Sequence, residues 1–322
     1  MTPVAPRQFG SHVWRGDELR EEDWTWHLND ADVTELVAAA RTGSSALPRL
    51  RPKLDALASE LIDGRGFELI RGLPVAELGA DQAAAAFLTL GRHLGSLRSQ
   101  NADGDLLGHV RNVGLDAADP DVRVYQTNQR QTFHTDSSDV VGLLCLSEAT
   151  EGGTSMLVSA ASIYNEMLDR DEQLAHTLFE PVATDRRGEV PPGEDPFFVI
   201  PVLSWFDDAL TVIYQRQYID SAARFHDAPR LSARHRAALD LFDEIANDPA
   251  MHLSMRLRPG DMQFVHNHSL LHDRTAFVDD PHAPRHLLRL WISMPGDRAL
   301  PPIFASRYGS VTVGNRGGIV VA

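Results

Sequence analysis

Apolar residues at helical spacing dominate the first third of this chain. They predict three helices: one with Asp30 or Asp32 as its N-cap, one over residues 50–61 that stops at Gly64, and one over residues 81–94. A short strand is predicted over residues 66–72, between the second and third helices.

The pattern changes to short strands separated by turn residues from about residue 121. Residues 122–128 alternate between the two faces of a predicted strand, and residues 232–247 predict a further helix. The Ala- and Asp-rich residues 101–120 predict a mobile loop. Many short strands with added helices predict a mainly β protein, a sandwich or jelly roll decorated by helices. Short apolar runs predict the other strands, over residues 140–146, 155–158, 197–203, 210–214, 255–258, 262–265 and 285–294.

Charge and composition narrow the class of protein. The 322 residues carry 30 Lys+Arg against 45 Asp+Glu, a formal net charge of −15. This balance argues against binding to nucleic acid or to an anionic membrane surface. Residues 1–10 show no signal peptide and no stretch of 18 apolar residues exists, so we expect a cytoplasmic protein. The single cysteine, Cys145, excludes a disulfide framework and predicts a buried, inert thiol.

Two groups of metal-binding residue types stand out. His134 and Asp136 are two apart, so a strand would place them on one face, although a chain with 14 His has about one such pair by chance. His266, His268 and His272 lie within seven residues, which makes a local metal cluster one interpretation. The alternative is that one of them or none is a ligand and the others pack or form hydrogen bonds.

Two arginines, Arg285 and Arg289, lie in an otherwise apolar predicted strand. A buried guanidinium is costly unless it meets an anion, so a ligand's carboxylates are the expected partners. Two His and one carboxylate on one face of an octahedral iron form the facial triad of non-haem Fe(II) oxygenases, which leaves positions open for a 2-oxo acid and O2.

The order of these segments resembles the TauD/TfdA (taurine dioxygenase-like) family of Fe(II)- and 2-oxoglutarate-dependent oxygenases. The resemblance extends from about residue 66 to residue 295. The segments that carry it are Phe67–Pro74, Phe133–Asp136, Glu151–Ser155, Pro259–Asp261, and Asn267–Phe277 with Arg285 beyond.

The resemblance implies a site and a fold. Three residues match the family's iron ligands: His134, Asp136 and His272. Arg285 matches the residue that binds the distal carboxylate of 2-oxoglutarate, and a hydroxyl at Ser155 or Thr154 assists it. The implied fold is a double-stranded β-helix, a cupin-like jelly roll. We expect one domain over residues 1–322, with a helical part over about 1–95, a jelly-roll core over about 96–300 and a tail over 301–322.

The implied reaction consumes 2-oxoglutarate and O2, releases succinate and CO2, and oxidises an unactivated C–H bond of a small organic molecule. Asp136 occupies the third ligand position, which favours hydroxylation over halogenation, and desaturation and ring closure stay open. We hypothesise that Arg289 contacts an anionic group of the substrate or the iron-proximal carboxylate of 2-oxoglutarate. A salt bridge to a buried acid is the alternative.

Two other classes of protein remain open from the sequence. A zinc hydrolase or isomerase on a cupin-like barrel would use His266, His268 and His272, but leaves Arg285 and Arg289 unexplained. A barrel that binds a small acid without turnover is the second. The sequence does not identify the substrate, and assembly into a homo-oligomer stays open.

Overall fold

The fold was obtained as a computed structural model, which describes residues 4–101, 103–116 and 122–319. No helix within these ranges is both long and apolar enough to cross a membrane. The helices are α1 Glu21–Trp24, α2 Asp30–Thr42, α3 Arg51–Ile62, α4 Val75–Leu94, α5 Ala160–Thr177, α6 Arg216–Ser221, α7 Ala233–Ala246 and α8 Ala305–Tyr308.

Seventeen strands are assigned in the described residues. They are β1 Thr25–His27, β2 Phe67–Arg71, β3 Ser96–Arg98, β4 Gly108–Val110, β5 Gln131–His134, β6 Val140–Ser147, β7 Glu151–Gly152, β8 Ser155–Ser159, β9 Pro181–Asp185, β10 Phe197–Pro201, β11 Leu203–Phe206, β12 Ala209–Val212, β13 Leu253–Met255, β14 Met262–His266, β15 Leu270–Arg274, β16 Phe277–Val278 and β17 His286–Ser293.

Two sheets form the centre of the molecule. The larger has the order β1-β2-β14-β6-β17-β3, with β4 also paired to β17. The smaller has the order β13-β8-β15-β5. Apolar side chains from both sheets form one buried cluster, which includes Val141, Leu157, Val265 and Trp291. The chain is therefore mainly β with added helices, as predicted.

Helices cover the outer faces of these sheets because each helix presents an apolar stripe. Side chains of α2, α3 and α4 pack with those of the larger sheet, and those of α5 and α7 pack with the smaller sheet. Capping fixes where two of the helices begin. Asn29 accepts hydrogen bonds from the backbone amides of Ala31 and Asp32 at the start of α2, and Ser232 caps α7.

Several details of the sequence prediction were wrong. The N-cap of α2 is Asn29, and Asp32 provides the reciprocal half of the capping box. Residues 122–128 form a 3₁₀ turn over Val124–Gln126. Helix α5 had not been predicted. Strand β4 falls within the predicted mobile loop, part of which, residues 102 and 117–120, lies outside the described residues.

The division of the chain into parts stays a prediction. Strands β1 and β2 lie within residues 1–95, the part of the chain predicted to be helical, and both join the larger sheet. The predicted tail contributes buried side chains, among them Arg316, which is fully inaccessible to solvent.

Candidate active site

Antiparallel pairing places two histidines side by side. His134 ends β5 and lies directly opposite His272 of β15, and their ring centroids are 4.1 Å apart. Asp136 lies two residues beyond the end of β5, and therefore outside the strand that was predicted to contain it. Its Oδ2 lies 3.9 Å from Nε2 of His272. Donor atoms of all three residues lie within 4.8 Å of one another. The structure thus brings together the three side chains that the sequence analysis grouped as candidate metal ligands.

Neighbouring groups orient two of the candidate metal ligands, His134 at the end of β5 and Asp136 just after it. Nδ1 of His134 lies 2.9 Å from the carbonyl oxygen of Thr132. Because a carbonyl only accepts, Nδ1 carries the proton. The lone pair of Nε2, which accepts from the side-chain amide of Gln131 at 2.8 Å in this structure, is then the one that a metal would take. Trp291 Nε1 donates to Oδ2 of Asp136 at 2.8 Å, and the backbone amide of Asp136 donates to Asn267 at 3.0 Å.

The charge states of the three residues suit a divalent cation. Burial lowers the pKa of His272 to about 3, with a smaller effect from His134, and burial lowers the pKa of His134 as well. Burial acts to raise the pKa of Asp136, but Arg289 and the two histidines lower it to about 2. At neutral pH the set is therefore two neutral imidazoles and one carboxylate, the donors of a facial triad.

The other two histidines of the sequence cluster lie in a separate buried network. His266 contacts Ser269 and Asp297, at 2.8 and 3.0 Å. His268 Nε2 lies 2.9 Å from Asp139. Both acids are also bonded by Arg316, at 2.7 Å to Asp139 and 2.9 Å to Asp297. His272 belongs to a different group of potential ligands, so the geometry does not support the three-histidine zinc cluster.

A cavity of about 490 Å³ adjoins the candidate metal ligands and is also lined by two buried guanidiniums, Arg274 and Arg285. Both stack on Phe277, at 4.6 and 5.1 Å from the ring centroid. Nη1 of Arg285 is buried and has no hydrogen-bond partner among the described residues. Burial lowers the pKa of Arg285 to about 10, and burial together with Arg285 lowers that of Arg274 to about 9. These observations fit a site for a ligand carboxylate.

The two hydroxyls expected to assist this carboxylate differ in position. Ser155 lines the cavity, and its Oγ lies 3.1–3.2 Å from the side-chain amide of Gln263. Thr154 is not among the lining residues, and its backbone amide donates to Thr275. The preceding glycine makes room for the arginine: Gly153 has φ +69°, and a Cβ there would lie 2.9 Å from Nε of Arg285.

A second cavity of about 630 Å³ shares two of the candidate metal ligands with the first. His134 and Asp136 line it together with Arg289, and further polar and aromatic side chains complete the wall. The remaining lining residues are Arg123, Tyr125, Gln131, Thr135, Ser137, Thr184, Asp185, Arg186, Phe198, Ile213, Tyr214, Gln215, Tyr218, Trp291 and Arg307.

Arg289 lines both cavities. Its guanidinium is 3.3 Å from Oδ2 of Asp136, Nε donates to Gln100 at 2.7 Å, and it lies over the rings of Tyr125 and Trp291. The buried acid that the sequence left open as its partner is therefore Asp136 itself.

The sequence analysis missed three arginines in the larger cavity, namely Arg123, Arg186 and Arg307. They come from distant parts of the chain and share no periodic pattern with the metal ligands. An unusual number of arginines is visible in the sequence, but the convergence of these three depends on the tertiary fold.

Comparison with known proteins agrees with this geometry. Residues 30–291 match the family model described as taurine catabolism dioxygenase TauD, TfdA family. FR-33289 synthase of Streptomyces rubellomurinus is 33% identical over 314 residues, which are 91% of this chain and 92% of that protein. The taurine hydroxylase-like protein SAT17 of Stachybotrys chartarum is 30% identical over 318 residues, 90% of this chain and 81% of that protein.

Solved structures show the same fold. An asparagine oxygenase in complex with Fe(II), 2S,3S-3-hydroxyasparagine and succinate superposes with a TM-score of 0.65 at 20% identity, covering 84% of this chain and 93% of that one. The non-haem iron oxygenase OrfP in complex with Fe and α-ketoglutaric acid superposes with a TM-score of 0.61 at 17% identity, covering 83% and 93%.

Proposed function

Because the chain belongs to the TauD/TfdA family of Fe(II)- and 2-oxoglutarate-dependent dioxygenases, we propose that His134, Asp136 and His272 hold its iron and that Arg285 binds the distal carboxylate of 2-oxoglutarate. One observation carries the proposal. Three potential metal-binding atoms within 4.8 Å of one another adjoin a cavity that Arg285 also lines, and within the described part of the chain the buried Nη1 of Arg285 has no hydrogen-bond partner.

Each residue has a defined task in this proposal. The two neutral imidazoles and the carboxylate hold the metal, and Trp291 and Arg289 keep the carboxylate oriented. Arg285 pairs with the carboxylate of the cosubstrate, and Ser155 donates a hydrogen bond to it. Fe(II), 2-oxoglutarate and O2 supply the oxidising power that converts a C–H bond to C–OH, with release of succinate and CO2.

The substrate binds in the 630 Å³ cavity, next to His134 and Asp136. It is a small organic molecule with an anionic group, since Arg289 and three further guanidiniums line that space. Hydroxylation is the proposed outcome because Asp136 is present as the carboxylate ligand. A cytoplasmic location and a homo-oligomer stay predictions from the sequence.

Anaerobic addition of Fe(II) and 2-oxoglutarate tests the ligand assignment. The wild-type protein should develop the weak visible charge-transfer band of an iron–2-oxo acid chelate, and should form succinate in air when substrate is present. His134→Ala, Asp136→Ala and His272→Ala should each lose the band. His226→Ala is the matched control, since the side chain of His226 is 97% exposed. Loss of the band in the control, or its retention in His272→Ala, would contradict the assignment.

A further inference from the structure

Three guanidiniums converge on the cavity proposed to hold the substrate. Arg123 lies just before a 3₁₀ turn, Arg186 directly follows β9, and Arg307 lies in α8. All three line the cavity that contains His134 and Asp136. Arg186 and Arg307 both lie over the ring of Phe198, at 5.6 and 5.7 Å, so their charged groups are held close to one apolar surface.

Neutral groups fix the directions of two of these guanidiniums. Arg186 donates to the carbonyl oxygens of Asp195 and Ser306, at 3.0 and 2.6 Å. Arg307 donates from Nε to Ser137 Oγ at 2.8 Å. These contacts orient the guanidiniums without neutralising them, which leaves their charge available to a ligand.

Among the described residues, two carboxylates pair directly with these three guanidiniums, and the charge of Asp195 also acts on Arg186. Glu189 pairs with Arg123 and lies 3.7 Å from Arg307, so two guanidiniums share one carboxylate. Arg186 has Glu194 at 3.5 Å, and the Glu194 side chain is 53% exposed.

The remaining acids that line the cavity are already paired. Asp185 is bonded by Arg224, and Asp136 is paired with Arg289 and proposed to bind the metal. Burial lowers the pKa of Arg307, and the charges of Arg123 and Arg186 lower it further despite Glu189.

We propose that Arg123, Arg186 and Arg307 bind a doubly charged tetrahedral oxyanion of the substrate, a phosphate or phosphonate group. This deepens the proposed function and rests on it, since it assigns the substrate class of the same cavity. A carboxylate offers two oxygens and one charge, whereas a phosphate or phosphonate group offers three oxygens and up to two charges to three guanidiniums. The C–H bond that is oxidised belongs to the part of the same molecule that reaches the metal ligands.

Calorimetric titration of the anaerobic Fe(II)- and 2-oxoglutarate-loaded protein tests this proposal. The probes are inorganic phosphate, methylphosphonate and acetate, and 2-oxoglutarate fills the Arg285 cavity during the experiment. Phosphate and methylphosphonate should bind one to one, and acetate at least tenfold more weakly. Arg123→Ala and Arg307→Ala should each weaken phosphate binding at least tenfold. The control Arg51→Ala removes the same charge from a side chain that is 71% exposed and should change nothing.

A variant that is expected to strengthen phosphate binding separates ligand binding from a structural role of the arginines. Glu189→Gln removes the carboxylate that competes for Arg123 and Arg307, so phosphate should bind at least threefold more tightly. If either alanine variant fails to fold, Arg123→Lys and Arg307→Lys replace them. These keep the charge but lose the two-pronged hydrogen bonding, and should weaken binding several-fold.

The outcomes distinguish the two proposals. Absence of the visible band in the same sample counts against the proposed function. If the band is present but phosphate binds no better than acetate, the bound phosphate is an adventitious ion only, and this inference alone is overturned. Equal behaviour of Arg307→Ala and Arg51→Ala would also overturn it. Succinate formation with a panel of phosphate esters and a panel of phosphonates then tells the two sources apart, and formation only with uncharged compounds overturns the inference.

Discussion

Replacing Arg285 with methionine should weaken cosubstrate binding without weakening the fold. The guanidinium is buried, and the pKa of Arg285 is lowered from 12.5 to about 10 by that burial. A depressed pKa of a cation means that folding disfavours its charged form, here by roughly 3 kcal/mol at neutral pH. Methionine keeps an apolar stem of similar length and removes this cost.

Part of the stability gained by removing the buried charge of Arg285 is offset. The variant loses the stacking of the guanidinium on Phe277, worth about 1–2 kcal/mol. The free energy of unfolding of the ligand-free protein should therefore be about 1–2 kcal/mol higher. Loss of a buried ion pair with the cosubstrate costs about 3–5 kcal/mol, which corresponds to a roughly hundredfold to several-thousandfold weaker affinity for 2-oxoglutarate.

Two measurements and one control check the Arg285→Met prediction. Urea denaturation of metal-free, cosubstrate-free protein gives the stability, and anaerobic titration with 2-oxoglutarate gives the affinity. Arg130→Met is the control, because Arg130 donates to both oxygens of the buried Asp273 and its loss should destabilise the protein. The reasoning is refuted if Arg285→Met destabilises the ligand-free protein as much as Arg130→Met does, or if the affinity stays within tenfold of wild type.

Three further predictions concern other buried groups. Arg316→Met should destabilise the protein by about 3–5 kcal/mol in urea, because Asp139 and Asp297 each lose a cationic partner; a loss under 1 kcal/mol would contradict this. The stability of metal-free protein should rise from pH 5 to pH 7, because unfolded His272 binds a proton near pH 6.5 whereas the folded residue does so only near pH 3. His272→Gln should reduce that slope, by up to about 1.4 kcal/mol per pH unit, and an unchanged slope would assign the effect to other groups. Cys145, whose pKa burial raises to about 12, should resist iodoacetamide in native protein and react in urea, as read by mass spectrometry.

The three candidate metal ligands could be grouped from the sequence because their positions are tied to short, local motifs and to the family resemblance. His134 and Asp136 lie two residues apart, and His272 follows within a run of buried positions that forms β15. What the spacing could not show is that Asp136 lies beyond the end of its strand, where Trp291 and Asn267 fix it. Those contacts depend on residues more than a hundred positions away.

Two errors in the prediction of secondary structure from the sequence have physical causes. The alternation over residues 122–128 imitates a strand, but Thr127 donates back to the carbonyl oxygen of Val124, and the segment turns instead. Helix α5 was missed because its apolar pattern is interrupted at Asp171. In the structure the backbone at this residue also has non-helical dihedral angles. Ser159, which caps that helix, and the buried Ile163, Tyr164 and Met167 were the available signals.

The ribbon formed by β9 and β10 has a consequence for how this enzyme changes over evolutionary time. It forms a two-stranded sheet of its own, separate from the sheet that carries His134 and His272, and it supplies Phe198 and, through the residue after β9, Arg186. Mutations that reshape this ribbon can therefore accumulate without disturbing the strand pairing that spaces the two histidines. On the proposed assignment of the cavity, a descendant lineage can change its substrate through this ribbon while it inherits the pairing of β5 with β15 unchanged.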